Sequence, residues 1–498
     1  MRLLEKSIVL FLVCIFSITV NAQKVRSEKR GVSEDNFNYA EDIESLSAGV
    51  SWFYNWGSTP PAVLNNITDP NKTMTFIPMA WNGDFNEAEI RTCLTNHPEI
   101  KYILGFNEPN FTVQAHMTPA EAAELWPRIE KIADDFGLKI VGPALNYSPN
   151  PPYTDPVTWY DEFFSIYPEA RCDYLALHCY MDGADGMMSF INKIAERYDR
   201  KIWLTEFCAW EDKSITPETQ RNSMVQKIEA LELSPVVEKY AWFKARGATA
   251  YPYYPLVRYP GAIVPKGTLT DLGEVYVNMS TFDLDYYYSV GSKIPATNYV
   301  KSEFISLEKN SDPESPFKLQ IEKFGIARSV DYLVDFPEGG TFPLYLRMAS
   351  VDNLFNPYIE VYSDGNKVGE QEFEATGSVD NWQTKSMSVT LPAGKQRITL
   401  KSTKNTTCKL SWLSLNSMPS NIESSTTCLI TITQEGNRLL VESYAPVQNL
   451  SITDMSGRLL ANVMQENQLD VSSYSSGVYL ITVVLSDGSK DIQKYIIR

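Results

Sequence analysis

From Gly49 to about Met279 short apolar runs alternate with stretches of helical periodicity, and this alternation limits the fold more than any other feature of the chain. Strands and helices in strict turn build a parallel sheet, because each helix carries the chain back to the edge where the next strand begins. Strand candidates are Val50–Asn55, Thr75–Trp81, Tyr102–Asn107, Lys139–Pro143, Tyr174–Cys179, Ile202–Glu206 and Lys239–Phe243. Helical patterns at Asn86–Thr95, Thr118–Phe136, Gly186–Arg197 and Thr216–Leu231 lie between them. Eight such units close a (β/α)8 TIM barrel. The eighth strand is expected between Gly57 and Thr75 or between Trp81 and Tyr102, in one short or irregular unit.

The rest of the chain has a different period. After about Ser280 apolar and polar residues alternate in strands such as Phe342–Met348, Tyr358–Tyr362, Ser386–Leu391, Arg397–Ser402 and Lys409–Leu415, which predicts an all-β sandwich. A polar stretch, Asn416–Thr427, leads to a last block with strands near Arg438–Ser443, Gln448–Thr453, Arg458–Val463, Gly477–Leu485 and Lys490–Ile497, a second sandwich. At 498 residues the chain exceeds what one core supports. The expected layout is a leader at 1–22, a barrel at 47–280, a sandwich at 281–416 and a terminal sandwich at 425–498.

The leader reads as a cleaved signal peptide: Arg2 and Lys6, an apolar run from Ser7 to Val20, and small residues before Gln23. That run is too short to span a bilayer, and no later segment is long and apolar enough, so a secreted or cell-surface location is expected with no span in the mature chain. Cys93, Cys172, Cys179, Cys208, Cys408 and Cys428 are too sparse for a disulfide scaffold, and none forms a zinc-type cluster with His97, His116 or His178. No metal and no cofactor is expected. The net charge of −17 argues against nucleic acid as a partner, since phosphate binding needs clustered Lys and Arg. Aromatic residues at 12% suit a neutral partner with stackable faces, such as a polysaccharide.

Two strands end in a glutamate. Tyr102–Asn107 runs into Glu108-Pro109, where proline ends the strand; Ile202–Thr205 runs into Glu206. Counted as strands four and seven, both carboxylates project into the carboxyl-end mouth, where such barrels keep their sites. Acetal cleavage needs this pair: a proton donor for the leaving oxygen and, in retaining enzymes, a carboxylate nucleophile about 5 Å away. One of Glu108 and Glu206 must be protonated and the other ionised. Asn107 is expected to meet the sugar's 2-hydroxyl. His178 and Tyr180 share one face of the neighbouring strand and are expected to bond Glu206 or the substrate. Trp52, Tyr54, Trp56, Trp81, Trp210 and Trp242 are candidate sugar platforms, some of them necessarily core, and Trp81, Trp210 and Trp242 lie closest to strand ends.

Gly105-Phe106-Asn107-Glu108-Pro109-Asn110, His178-x-Tyr180, Trp203-Leu204-Thr205-Glu206-Phe207 and Gly267-Thr268-Leu269-Thr270-Asp271-Leu272-Gly273 together resemble glycoside hydrolase family 128, of clan A. The resemblance covers roughly Ser47 to Ser280. It implies a (β/α)8 barrel, retention of configuration and activity on β-1,3-glucan, with Glu108 matching the acid/base and Glu206 the nucleophile; an endo-β-1,3-glucanase is the expected function, and the resemblance says little about endo or exo action. The Tyr- and Pro-rich segment Tyr251–Gly261 departs from the simpler loop of that pattern. Trp382-Gln383-Thr384, Leu391-Pro392-Ala393-Gly394 and Leu410-Ser411-Trp412-Leu413 resemble a family 6 carbohydrate-binding module, with Lys409 where such modules usually offer Asn. Asp454-Met455-Ser456-Gly457-Arg458, Gly477-Val478-Tyr479 and the closing Lys494–Arg498 are similar to type IX secretion sorting domains, which implies that secretion machinery as a partner. The chain is expected to be a monomer. A glycan-binding surface protein on a non-catalytic barrel, and a clan A hydrolase of another β-glycan, are the competing readings.

Overall fold

The computed structural model describes residue 24 and residues 26–497 apart from 352–355, 406, 416–430, 444–445, 455–457 and 487–489. The expected leader at 1–22 and the whole polar stretch Asn416–Thr427 lie outside the described residues. Eight parallel strands form the first sheet: β1 Arg30–Ser33, β2 Trp52–Tyr54, β3 Thr75–Phe76, β4 Tyr102–Leu104, β5 Lys139–Leu145, β6 Tyr174–Cys179, β7 Ile202–Phe207 and β8 Val237–Phe243. Hydrogen-bonded neighbours run β3-β2-β1-β8-β7-β6-β5-β4. A parallel bridge between Met79 and Leu104 closes the circle, with Leu104 N donating to Pro78 O at 3.0 Å and Ala80 N to Leu104 O at 2.9 Å.

The eighth strand is not in either expected interval. It is β1, upstream of all seven candidates and upstream of the expected barrel start at Ser47; it pairs with β2 on one side and β8 on the other. Its sequence, Arg-Gly-Val-Ser, has one bulky apolar side chain, so no periodicity marks it. Arg30 is fully buried and its guanidinium is consumed by the fold: Nε donates to Tyr240 Oη at 3.1 Å, and the terminal nitrogens to Tyr276 O and Ser280 O at 2.8 Å. The irregular unit exists, between β2 and β3, where two short 3₁₀ turns, Ala62–Asn66 and Pro70–Lys72, replace a helix.

The helices are α1 Ala40–Leu46, α2 Glu87–Asn96, α3 Pro119–Phe136, α4 Pro156–Ile166, α5 Ala184–Tyr198, α6 Pro217–Leu233 and α7 Asp271–Asn278. Capping residues fix where several begin: Thr118 and Glu121 form a reciprocal capping box on α3, and Thr216 with Thr219 does the same on α6. Outward strand residues such as Ile103, Ile140, Leu175, Leu204 and Trp242 belong to the large outer core that includes the helices' apolar faces.

The barrel interior is solid. Trp52, Tyr54, Ile77, Met79, Leu104, Val141, Ala144, Ala176, Trp203 and Ala241 fill it, with the Trp52 and Trp203 rings 5.0 Å apart. The large indoles require small neighbours: a Cβ on Gly31 would lie 2.2 Å from Trp52 Cε2. A filled interior leaves the carboxyl-end mouth as the place for chemistry.

The middle sandwich has two antiparallel-rich sheets, built on the long strands 319–325, 340–350, 378–391 and 407–415 in one and 328–336, 358–363, 366–372 and 394–402 in the other. It joins the barrel in one compact unit with a continuous core. Polar ties cross the junction: Ser302 N donates to Glu229 Oε1 at 2.7 Å, Arg221 pairs with Glu322 at 3.2 Å, and Lys323 with Glu218 at 3.0 Å. The second unit begins at residue 418 and holds a sandwich of three- and four-stranded sheets around Leu439, Val441, Leu450, Ile452, Ile481 and Val483.

Candidate active site

β4 ends at Leu104, and the next residues turn across the mouth. Asn107 N donates to Trp81 O, and Glu108 N donates to Ala144 O, both at 2.8 Å, so the segment is stitched to the ends of β3 and β5. Glu108 has φ of 44° and precedes proline, a left-handed backbone that costs energy for a side-chain-bearing residue. Asn110 holds the turn from beyond, its Nδ2 donating to Asn146 O at 2.8 Å and Tyr153 O at 3.2 Å. Such strain concentrates at functional positions, and here it aims a carboxylate that is 7% exposed.

Glu206 reaches the same mouth by a different device. In β7 Trp203 points into the barrel and Leu204 outward, yet Phe207 again packs outward against Tyr240 and Trp242. The pairing of β7 with β8 shifts register between Leu204 and Phe207, and the extra residue turns Glu206 inward. Its carboxylate accepts three hydrogen bonds: Trp56 Nε1 to Oε1 at 2.8 Å, Tyr54 Oη to Oε1 at 3.2 Å, and Tyr180 Oη to Oε2. His178, fully buried, lies between the acids with Nδ1 2.9 Å from Glu108 Oε1 and 3.4 Å from Glu206 Oε2. One ligand-type atom from each of Glu108, His178 and Glu206 lies within 4.8 Å of the others.

Burial pushes the Glu206 carboxyl above its usual range and the nearby Glu108 charge adds to this; His178, Tyr180 and Trp56 oppose it. Burial lowers the His178 imidazole, but the two carboxylates outweigh it and the net direction is upward. Against that burial, the hydrogen bonds that Glu206 accepts favour its charged form.

Other expected site residues divide between mouth and core. Tyr180 reaches Glu206 as expected. Asn107 stands beside Glu108 with Oδ1 buried and without a hydrogen-bond partner among the described residues, an acceptor open to a ligand hydroxyl. Trp81 is half-buried in the segment that follows β3, two residues after the Met79 bridge, with its carbonyl on Asn107 N. Trp210 packs with Tyr180, Phe243 and Tyr254 at ring distances of 5.7, 5.9 and 5.6 Å. Trp242 is not at the mouth: it is fully buried on the outer face of β8 between Phe207 and Tyr276, with Nε1 donating to Tyr254 O at 2.8 Å. Ala241 faces inward, so strand alternation sends residue 242 outward.

Tyr54 and Trp56, expected as candidate sugar platforms, are instead hydrogen-bond partners of Glu206, and the aromatic pair Phe243 and Tyr254 is absent from the expected site. The signal for the first two was present: Trp52, Tyr54 and Trp56 recur every second residue, the spacing of one face of a strand. The Tyr-rich departure after β8 packs over Trp210, where Tyr251 Oη donates to the Trp210 carbonyl at 2.5 Å.

With this geometry in hand, comparison with known proteins is specific. The profile of the glycosyl hydrolase catalytic core matches residues 31–276. The chain belongs to the glycosyl hydrolase catalytic core family. It is a glycoside hydrolase, and its core begins at β1, in accord with the closure of the barrel by that strand. Two solved relatives of this glycosyl hydrolase are endo-β-1,3-glucanases of family 128, subgroup II. The one from Pseudomonas viridiflava is 35% identical, with 51% of this chain and 98% of that chain covered and a TM-score of 0.46. The one from Sorangium cellulosum is 32% identical, with coverages of 50% and 97% and a TM-score of 0.45. Alkali-sensitive linkage protein 1 of Schizosaccharomyces pombe is 24% identical over 265 residues, which is 51% of this chain and 45% of that protein. The chain thus spans less than half the length of that relative.

The glycosyl hydrolase core is followed by a match to the family 6 carbohydrate-binding module at residues 295–417 and to the secretion system C-terminal sorting domain at 429–498. The sorting domain supports export to a secreted or cell-surface location. No helix among the described residues is long and apolar enough to cross a membrane.

Proposed function

We propose that this glycoside hydrolase is an endo-β-1,3-glucanase that cleaves by double displacement, with Glu108 as acid/base and Glu206 as nucleophile. The observation that carries the mechanism is the unequal treatment of two close carboxylates. One oxygen of each lies within 4.8 Å of one of the other, which suits the roughly 5 Å separation of retaining enzymes. Glu206, whose charged form the Trp56 and Tyr180 hydrogen bonds favour against burial, attacks the anomeric carbon from one face of the sugar ring. Glu108 gives its proton to the leaving oxygen, then takes one from water so that the hydroxide equivalent displaces the glycosyl ester on Glu206. His178, bonded to Glu108 through Nδ1, orients that carboxyl through both steps. The choice of β-1,3-glucan rests on the family 128 resemblance of the Asn107-Glu108-Pro109, His178-x-Tyr180 and Glu206-Phe207 segments. The family 6 module and the aromatic residues of the mouth suit a polysaccharide substrate, and the sorting domain suits secretion.

The test is reducing-sugar release from laminarin by the full chain beside Glu108→Gln and Glu206→Gln. Release by the unaltered chain alone supports the reading. Hydrolysis undiminished in Glu206→Gln sinks the mechanism, and cleavage of other β-glycans with laminarin untouched sinks the substrate.

A further inference from the structure

β1 brings a third carboxylate to the mouth, which neither the motif reading nor the mechanism uses. Glu34 follows β1 directly, and its backbone N donates to Tyr54 O at 3.2 Å, two residues before the Glu206 donor Trp56. It is 4% exposed. One oxygen, Oε2, accepts the Arg246 backbone N–H at 2.6 Å. That donor cannot swing away: the Arg246 guanidinium is locked on buried Asp42 of α1 through bonds of 2.8, 2.7 and 2.6 Å, and Nη1 donates to Arg258 O at 2.7 Å. The other oxygen, Oε1, has no hydrogen-bond partner among the described residues. Beside it Lys244, which follows β8, pairs with Asp35. Phe243 adjoins Lys244 and packs on Trp56 at 5.9 Å and on Tyr254 at 5.7 Å, forming an aromatic wall that ends at this polar corner.

A buried carboxylate with one oxygen tied to a rigid amide and one left open, next to an ammonium and an aromatic wall, matches the chemistry of a sugar ring. Hydroxyl hydrogens need an acceptor, hydroxyl oxygens need a donor, and C–H faces need an aromatic surface. We propose that Glu34, through Oε1, accepts a hydrogen bond from a hydroxyl of the sugar unit bound on the Glu206 side of the cleaved bond, and so is a specificity residue for a neutral glycan. This rests on the glucanase reading above. Lys244 completes the subsite as donor to an adjacent hydroxyl oxygen. Burial, with Asp35 adding, pushes the Glu34 carboxyl up to about 7, while the Arg246 amide and Lys244 oppose it. Asp35, Lys244, Arg246 and Tyr254 are the charged and titratable groups that face it. A hydroxyl donor at Oε1 favours the charged form, so sugar binding and ionisation of Glu34 assist one another.

The experiment is Glu34→Gln in the full chain, assayed on laminarin for KM and kcat separately, with Tm recorded. Glutamine keeps an acceptor for the Arg246 amide and removes a carboxylate that burial disfavours, so it is expected to fold at least as stably above about pH 7. The expected result is kcat/KM lower by roughly 10- to 100-fold, carried mainly by KM, with Tm kept. A second measurement is laminaritetraose binding by calorimetry in the Glu108→Gln background, where adding Glu34→Gln is expected to weaken affinity by a similar factor. Unchanged KM and affinity in a chain that hydrolyses laminarin overturns the role of Glu34 alone. A fall in kcat that tracks a lowered Tm assigns Glu34 to folding and overturns it too. Silence of the unaltered chain on every glycan overturns the glucanase reading, and this inference with it.

Discussion

Each hydroxyl or indole donor on Glu206 is a separate handle on its charge. Tyr180→Phe removes one donor and keeps the ring, so the charged form loses support and the Glu206 carboxyl rises further. The acid limb of kcat/KM, which reports the nucleophile in the free enzyme, is expected to move to higher pH, with a loss of roughly 10- to 100-fold below the new limb. A pH–rate profile checks this, and an unmoved limb contradicts the assignment of Glu206. Trp242 and Trp210 make a second test, because one is core and the other lines the mouth. Trp242→Phe is expected to cost roughly 1–3 kcal/mol of stability with KM unchanged, whereas Trp210→Ala is expected to raise KM with a smaller loss of stability. Urea unfolding beside laminarin kinetics separates them. The convergence of Glu108 and Glu206 was readable in the chain because strand order and a proline stop are local signals. The face of Trp242 was not read, because nearness to a strand end is silent on parity, and only the inward Ala241 settles it. Nor does any local pattern announce Glu34, whose surroundings come from Arg246 more than two hundred residues away.

At the scale of the element, β1 and β7 show where pattern gives out. The β7 run Ile202–Phe207 reads as plain alternation, but alternation alone would turn Glu206 away from the mouth; a register shift against β8 corrects it, and such shifts depend on the neighbouring strand. β1 is specified almost entirely by its neighbours, β2 and β8, and by the buried bonds of Arg30 rather than by its own composition. Helices with marked caps, α3 and α6, were legible; α4, opened by Asp155 and Pro156 amid a loop-like run, was not. The dependence of β1 on β2 gives a prediction. Gly31→Ala sets a methyl against the Trp52 indole, which is wedged in turn on Trp203, so little can yield. It is expected to destabilise by roughly 2–4 kcal/mol, while Gly183→Ala, with open space at its Cβ, stays within about 1 kcal/mol. Chemical denaturation of both variants decides it, and equal midpoints would mean the barrel interior is looser than its packing shows.

For the whole molecule, the change of period near Ser280 marks a change of architecture but not a boundary that can be cut. The outer faces of α6 and α7 continue into the middle sandwich: Phe282 packs on Tyr299 at 5.8 Å, and buried Leu307 and Ile321 belong to the same core as the barrel helices. Composition cannot show this, since the shift from helix to strand period says nothing about which helix faces stay apolar. Glu229 makes the consequence concrete. Burial pushes its carboxyl up, and the backbone and hydroxyl of Ser302 are the hydrogen bonds that oppose this. A chain ending at Ser280 leaves that carboxylate without its donors and exposes apolar surface of α6 and α7, so its Tm is expected to fall by roughly 10 °C or more, or the protein to aggregate. A chain ending at Leu415 removes only residues whose described apolar core is their own, around Leu450 and Ile481. Its main calorimetric transition and its kcat/KM on laminarin are expected to match those of the full chain. If the shorter chain instead kept full stability, the barrel would be self-sufficient and the sandwich a separable module; if the chain ending at Leu415 lost its transition, the terminal sandwich would support the first core in a way its separate packing does not show.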